Sequence, residues 1–209
     1  MSGLGPLAVL DYQRHAAYIL SMLRLLLASL LVADGLALAA PVGEFEAGGR
    51  IGVVFPSSGL ENSHAAAALF GANLGYQVGP NRFTLDYGYT ELQAKQASPY
   101  RFDVHDLSVR YGREFVLGRA ASGPTSNWGF EASAATGVGL LARTLGSAQE
   151  TGKAPSGILG VGFFQRQDHS RLSLGLDNIV FIESRPAGSA RTVSLTDLIA
   201  LKGGVSYVF

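Results

Sequence analysis

The sequence contains no cysteine, which excludes a disulfide framework, a thiolate metal site and a cysteine nucleophile. It is also poor in charge: 15% of its 209 residues are charged, against about 25% in an average soluble domain. Lys95, Lys153 and Lys202 are its only lysines. Basic and acidic residues balance at 16 each, so there is no basic footprint and nucleic acid is not an expected partner. No apolar run reaches the roughly 20 residues of a membrane-spanning helix. Glycine, by contrast, is plentiful at 27 residues, without a collagen-like period.

The main apolar stretch, Leu25–Ala33, follows Arg24 and precedes Gly35 and the small-residue pattern Ala37-Leu38-Ala39. A basic flank, a short apolar core and an A-x-A site make a secretory signal peptide. Residues 1–39 are therefore expected to be a cleaved leader, and residues 40–209 a single domain. Residues 1–21 are long for a leader, and Met22 offers an alternative translation start.

Beyond Pro41 the pattern becomes short alternating runs between turn residues. Strands are expected near 43–55, 65–77, 83–92, 102–113, 127–141, 156–165, 171–182 and 199–209. Such lengths suit membrane-spanning strands of about 9–11 residues. Phe83, Leu85, Tyr87 and Tyr89 share one face, with Thr84, Asp86 and Thr90 on the other. Leu107, Val109 and Tyr111 oppose Asp106, Ser108 and Arg110, and Trp128 and Phe130 oppose Glu131. This period of two is the β signal. The run Ala65–Ala68 could equally start a helix.

The connections carry a second pattern. Gly79-Pro80-Asn81 and Gln167–Ser170 are tight, whereas 56–64, 93–101, 142–155 and 183–198 are longer and polar. Short turns at one end and long loops at the other are the layout of outer-membrane barrels, the short end being periplasmic. The connection 114–126 breaks this alternation and leaves open a longer strand or a small periplasmic turn. The expected fold class is all-β: an eight-stranded antiparallel up-and-down transmembrane β-barrel, preceded by a signal peptide. Lipid offers no partner to an open sheet edge, so strand one must close on strand eight.

Period two alone does not say which face points inward. A soluble lipocalin-like periplasmic barrel is the alternative, with an apolar inside and a polar outside. Aromatics near strand ends favour the membrane, as two girdles: Phe55, Tyr76, Phe83, Phe102, Phe115, Trp128, Tyr207 and Phe209. So do the mid-strand charges of balanced sign, Arg50, Asp86, Arg110, Glu131, Asp177 and Lys202. A narrow lumen needs such charges paired, because a lone buried charge is costly. Arg110 and Glu131, on neighbouring strands, are the expected pair. Eight strands leave an interior that side chains can fill, so these groups read as a plug first and an ion path second.

Chemistry is hard to find. A hydrolase needs a serine activated by a histidine that an acid orients. His64 falls in the first loop, His105 lies three residues from Ser108 and so faces the other way, and His169 adjoins Ser170 in a turn. None fits, and turn or surface histidines are the simpler reading. No catalytic residue, cofactor or metal site is expected. Gly137-Val138-Gly139 and Gly160-Val161-Gly162 open no helix after a strand, so they read as glycines of a tight barrel wall.

The closing stretch Leu201–Phe209, with Val205, Tyr207 and a final Phe209 in phase, resembles the last strand of outer-membrane barrel proteins. That resemblance implies recognition by the barrel assembly machinery. More broadly, residues 40–209 resemble the OmpA/OmpX-type small barrels, and Gly137–Phe209 resembles barrel-domain proteins of myxobacteria. The likeness includes no peptidoglycan-binding domain. It implies an outer-membrane location, outer-membrane lipids as partners and a monomer. A non-enzymatic envelope-structural or surface-interaction role through loops 142–155 and 183–198 is expected. A narrow passive pore and a lipid A-modifying enzyme are the alternatives.

Overall fold

A computed structural model describes residues 43–57, 60–95, 100–119, 126–187 and 190–209. The leader expected over 1–39 and the start at Met22 lie outside the described residues. Eight antiparallel strands form a closed barrel in which each pairs with its sequence neighbours and β1 with β8. They are β1 (Glu44–Pro56), β2 (Ala67–Val78), β3 (Asn81–Gln93), β4 (Tyr100–Arg119), β5 (Asn127–Leu145), β6 (Ala148–Gln167), β7 (Ser170–Ala187) and β8 (Ala190–Val208). Ala67 and Ala68 begin a strand, and the only helical turn among the described residues is the 3-10 turn Leu60–Asn62.

Among the described residues, three connections are two-residue hairpin turns, at Gly79-Pro80, Gly146-Ser147 and Asp168-His169. Each places a residue of positive φ first: Gly79 at 55°, Gly146 at 60° and Asp168 at 48°. Glycine adopts that region freely and aspartate tolerates it.

The segments 142–155 and 183–198 are not loops. β5 and β6 stay paired up to Leu145↔Ala148, and β7 and β8 up to Ala187↔Ala190. In β6, residues 148–153 are exposed on both faces, so the apolar alternation fades while the backbone ladder continues. Likewise β4 runs on to Arg119, through a register shift between Val116 and Gly118, where 114–126 had been open.

These hairpins rise above the rest of the wall. The β6–β7 ladder ends at Ser156↔Phe181 and the β1–β8 ladder at Pro56↔Leu198. The β6 edge over 148–155 and the facing β7 edge over 182–187 therefore lie outside that ladder. Pro155 and Pro186 sit on these edges, and a proline, having no N–H, blunts an edge against stray strand pairing.

Candidate functional site

Inward positions divide the lumen into a charged half near the start of β1 and the end of β8 and an apolar half near the long hairpins. In the middle, Arg110 from β4 reaches Asp86 on β3 (2.7 Å) and, with two nitrogens, Asp177 on β7 (2.7 and 3.2 Å). Its Nη1 also donates to Ser133 Oγ at 2.8 Å. Arg50 adds a 3.2 Å contact to Asp86, and Lys202 pairs with Asp177. Below, Arg171 bridges Glu114 (2.9 Å) and Glu131 (2.7 Å), while Arg82 pairs with Glu46 and approaches Glu131 at 3.5 Å. Arg166 joins Glu44 to Gln77.

The cations Arg50, Arg82, Arg110, Arg166, Arg171 and Lys202 thus meet an equal number of carboxylates, Glu44, Glu46, Asp86, Glu114, Glu131 and Asp177. Mutual neutralisation and multiple hydrogen bonds are what make buried charge tolerable. The void among these groups is about 60 Å³, room for a few waters rather than a channel.

The expected pair Arg110–Glu131 does not form. Register sets Arg110 opposite Ala135 and Glu131 opposite Glu114. Those levels are four residues apart along β5, about 13 Å, so Glu131 serves Arg171 instead. Glu44, Glu46, Arg82, Glu114, Arg166 and Arg171 complete the network and escaped the sequence reading. For all but Arg166 parity was the available signal: each shares the phase of a charge already singled out on its strand, as Arg171 does with Asp177 and Glu114 with Arg110.

Above Asp106, whose carboxylate accepts from Ser156 Oγ at 2.6 Å, the lumen turns apolar. Val54, Leu92, Phe102, Leu141, Phe181 and Leu198 fill it, none more than 1% exposed. Phe102 thus belongs to this plug and not to the outer aromatic girdle, since its even position on β4 points inward with Asp106 and Arg110. Over the plug, Arg143 lies 4.4 Å from the Phe102 ring centroid and holds Glu183 by two 2.7 Å contacts. The β1–β2 connection folds inward beside them, with Leu60 against the plug and His64 edge-on to Phe102.

The outer wall is the reverse. Ile51, Leu74, Val109, Val161, Phe163 and Val205 are all more than half exposed. Phe45, Tyr76, Phe83, Trp128, Tyr207 and Phe209 are exposed toward the turn-bearing end, and Phe55 toward the hairpin end. A water-soluble chain does not expose so much contiguous apolar surface, and a lipocalin-like barrel would carry it inside.

No protein-family model matches the sequence, and no curated protein matches it. Among solved structures, the barrel of Neisserial surface protein A superposes with a TM-score of 0.56 at 17% identity, covering 82% of this chain and 99% of that one. The N-terminal β-barrel domain of Pseudomonas aeruginosa OprF gives 0.47 at 14% identity, over 79% of this chain and 97% of that one. The outer membrane enzyme PagL gives 0.44 at 15% identity, over 76% and 97%.

The chain has the fold of the small eight-stranded outer-membrane barrels. Its lipid-facing exterior and charge-paired lumen are those of an outer-membrane protein.

Within this outer-membrane barrel the histidines are dispersed. His105 faces outward and meets the Tyr87 hydroxyl at 2.8 Å, whereas Ser108 faces inward. His169 contacts the Val208 carbonyl oxygen at 3.1 Å and stacks on Tyr207. His64 is not a surface residue: it is 3% exposed, because its loop folds over the plug. Its Nδ1 lies 2.8 Å from Ser63 Oγ, and that hydroxyl donates to the Leu60 carbonyl oxygen at 3.1 Å. Burial lowers the His64 pKa; the Leu60 backbone contact opposes this, and the nearby Arg143 charge adds to it. Val205, Tyr207 and Phe209 all point outward, at 57%, 53% and 71% exposure.

Proposed function

We propose that this barrel is a non-enzymatic envelope protein whose lumen is a plug and whose raised hairpins are its interaction surface. The observation that carries the reading is the double closure of the lumen. A neutralised charge network fills one half and close-packed apolar side chains fill the other, with an intervening void of about 20 Å³. An ion would have to displace paired charges and then cross an apolar layer, each step costing several kcal/mol.

The β5–β6 and β7–β8 hairpins then do the outward work. They stand above the lipid-facing belt, and their upper backbone edges can meet an extracellular partner. Planar-bilayer recording of refolded protein tests the plug, and an absence of reproducible steps is expected. Regular ion-selective steps would replace this reading with that of a pore. Shortening the β5–β6 hairpin by removing residues 146–151 should leave folding intact and change only surface binding.

A further inference from the structure

On the outer wall a concavity of about 490 Å³ opens over Ala72, between Phe70 on β2, Tyr87 and Tyr89 on β3, and Asp103 and His105 on β4. Register makes these neighbours, with Phe70↔Tyr89, Ala72↔Tyr87 and Tyr89↔His105 paired. The small side chain of Ala72 between large aromatic ones is what makes the notch. Its lower surroundings, Leu74, Leu85, Leu107 and Val109, belong to the lipid-facing belt.

Its upper rim is polar. The Tyr87 hydroxyl meets His105 Nδ1 at 2.8 Å, and the Tyr89 hydroxyl lies 3.5 Å from both Glu91 and Asp103. Arg101 spans those two carboxylates at 2.9 and 3.3 Å. The notch therefore straddles the boundary between acyl chains and headgroups, at the hairpin end of the barrel. Hairpins that reach beyond the membrane mark the extracellular side, so the lipid there is that of the outer leaflet.

We propose that this notch seats one outer-leaflet glycolipid, with an acyl chain over Ala72 and a sugar headgroup at the rim. The continuity of the notch with the lipid-facing belt selects a lipid. Charge selects the headgroup. Arg101 already serves both Glu91 and Asp103, which leaves these three groups with one carboxylate in excess, so an anionic headgroup meets like charge there. Sugar hydroxyls can donate to Glu91 and Asp103, and a sugar face can lie against the Tyr89 and His105 rings, whose centroids are 4.8 Å apart. This site is separate from the hairpins and goes beyond the interaction role proposed for them.

Refolded protein in nanodiscs of phosphatidylcholine, with equal shares of glucosyl-diacylglycerol and phosphatidylglycerol, provides the test. After gentle release, native mass spectrometry counts the lipids retained. One glucosyl-diacylglycerol per barrel is expected, in preference to phosphatidylglycerol. Ala72→Leu fills the notch with a side chain that suits a lipid-facing wall and should abolish retention. Asp103→Asn, a rim substitution away from the fold's buried network, should reduce glycolipid retention about fivefold through loss of a charge-assisted hydrogen bond. Equal retention of both lipids, no retained lipid, or an unchanged glycolipid preference in D103N would overturn the proposal. So would wild-type retention in a folded Ala72→Leu variant.

Discussion

Arg110 and Asp177 form a two-pronged ion pair across the lumen, from β4 to β7, although β5 and β6 lie between them in the wall. The pair joins strands that share no backbone hydrogen bond. It ties opposite walls of the barrel together and depends on closure, since neither partner is near the other until all eight strands have met.

Removing Arg110 should therefore be expensive. Arg110→Ala leaves Asp86 to Arg50 and Asp177 to Lys202, and opens a void where a guanidinium stood. A loss of about 3–5 kcal/mol is expected, the usual cost of breaking one side of a buried pair. Arg110→Lys keeps the charge but not the fork, and should lose less. Urea unfolding in lipid, followed by the fluorescence of Trp128, the single tryptophan, and by gel mobility, measures both.

Glycine at 160 makes the space for that pair. A Cβ there would lie 2.3 Å from Asp177 Oδ1 and 2.9 Å from Arg110 Nη1. Both atoms are pinned by their own contacts, so Gly160→Ala should destabilise by about 1–3 kcal/mol, as overpacking does. Gly157→Ala is the control. It faces outward on the same strand with nothing within 4 Å, and should fall within about 0.5 kcal/mol of wild type.

The His64 cap should respond to acid. Its folded pKa is lowered from the model-peptide value of 6.5, so in acid the unfolded cap binds the proton more readily than the folded one. The contribution is fully present above about pH 6.5 and is lost as pH falls toward the depressed folded value. A protonated imidazole would also sit buried beside Arg143. Hydrogen exchange of residues 60–66 should therefore speed up as pH falls below neutrality, after correction for intrinsic rates. His64→Gln should remove that dependence.

Phe209 separates assembly from stability. Its backbone N–H donates to the Phe45 carbonyl oxygen at 2.8 Å, a bond any residue but proline can make, while its side chain is exposed to lipid. Phe209→Ala should refold in detergent nearly as well as wild type. If Val205, Tyr207 and Phe209 act together as an assembly signal, as we propose, the same variant should accumulate poorly in the outer membrane of cells. Normal accumulation, measured by fractionation and heat-modifiable mobility, would remove the signal from Phe209.

Much of the barrel was legible in the chain because the relevant signals are local. Period two assigned Leu107, Val109 and Tyr111 to one face and Asp106, Ser108 and Arg110 to the other. Turn chemistry marked Gly79-Pro80 and Asp168-His169. The raised β5–β6 hairpin was not legible, because a strand exposed on both faces, as β6 is over 148–153, loses the alternation that announces a strand. The apolar plug left a trace that alternation obscured: Ile179–Ile182 and Leu198–Leu201 are apolar at nearly every position, as strands buried on one face and lipid-covered on the other must be.

The sequence by itself determined the strand count, the antiparallel up-and-down order and the phase of β3, β4, β5 and β8. It also determined that Arg50, Asp86, Arg110, Glu131, Asp177 and Lys202 needed one another's company. Only the tertiary structure decided which of them meet. Alternation specifies a face, but partners across a lumen depend on the stagger at which each strand pairs with the next. That stagger accumulates around the barrel until β8 closes on β1. It took Glu131 from Arg110 to Arg171 and brought Asp177 across from β7.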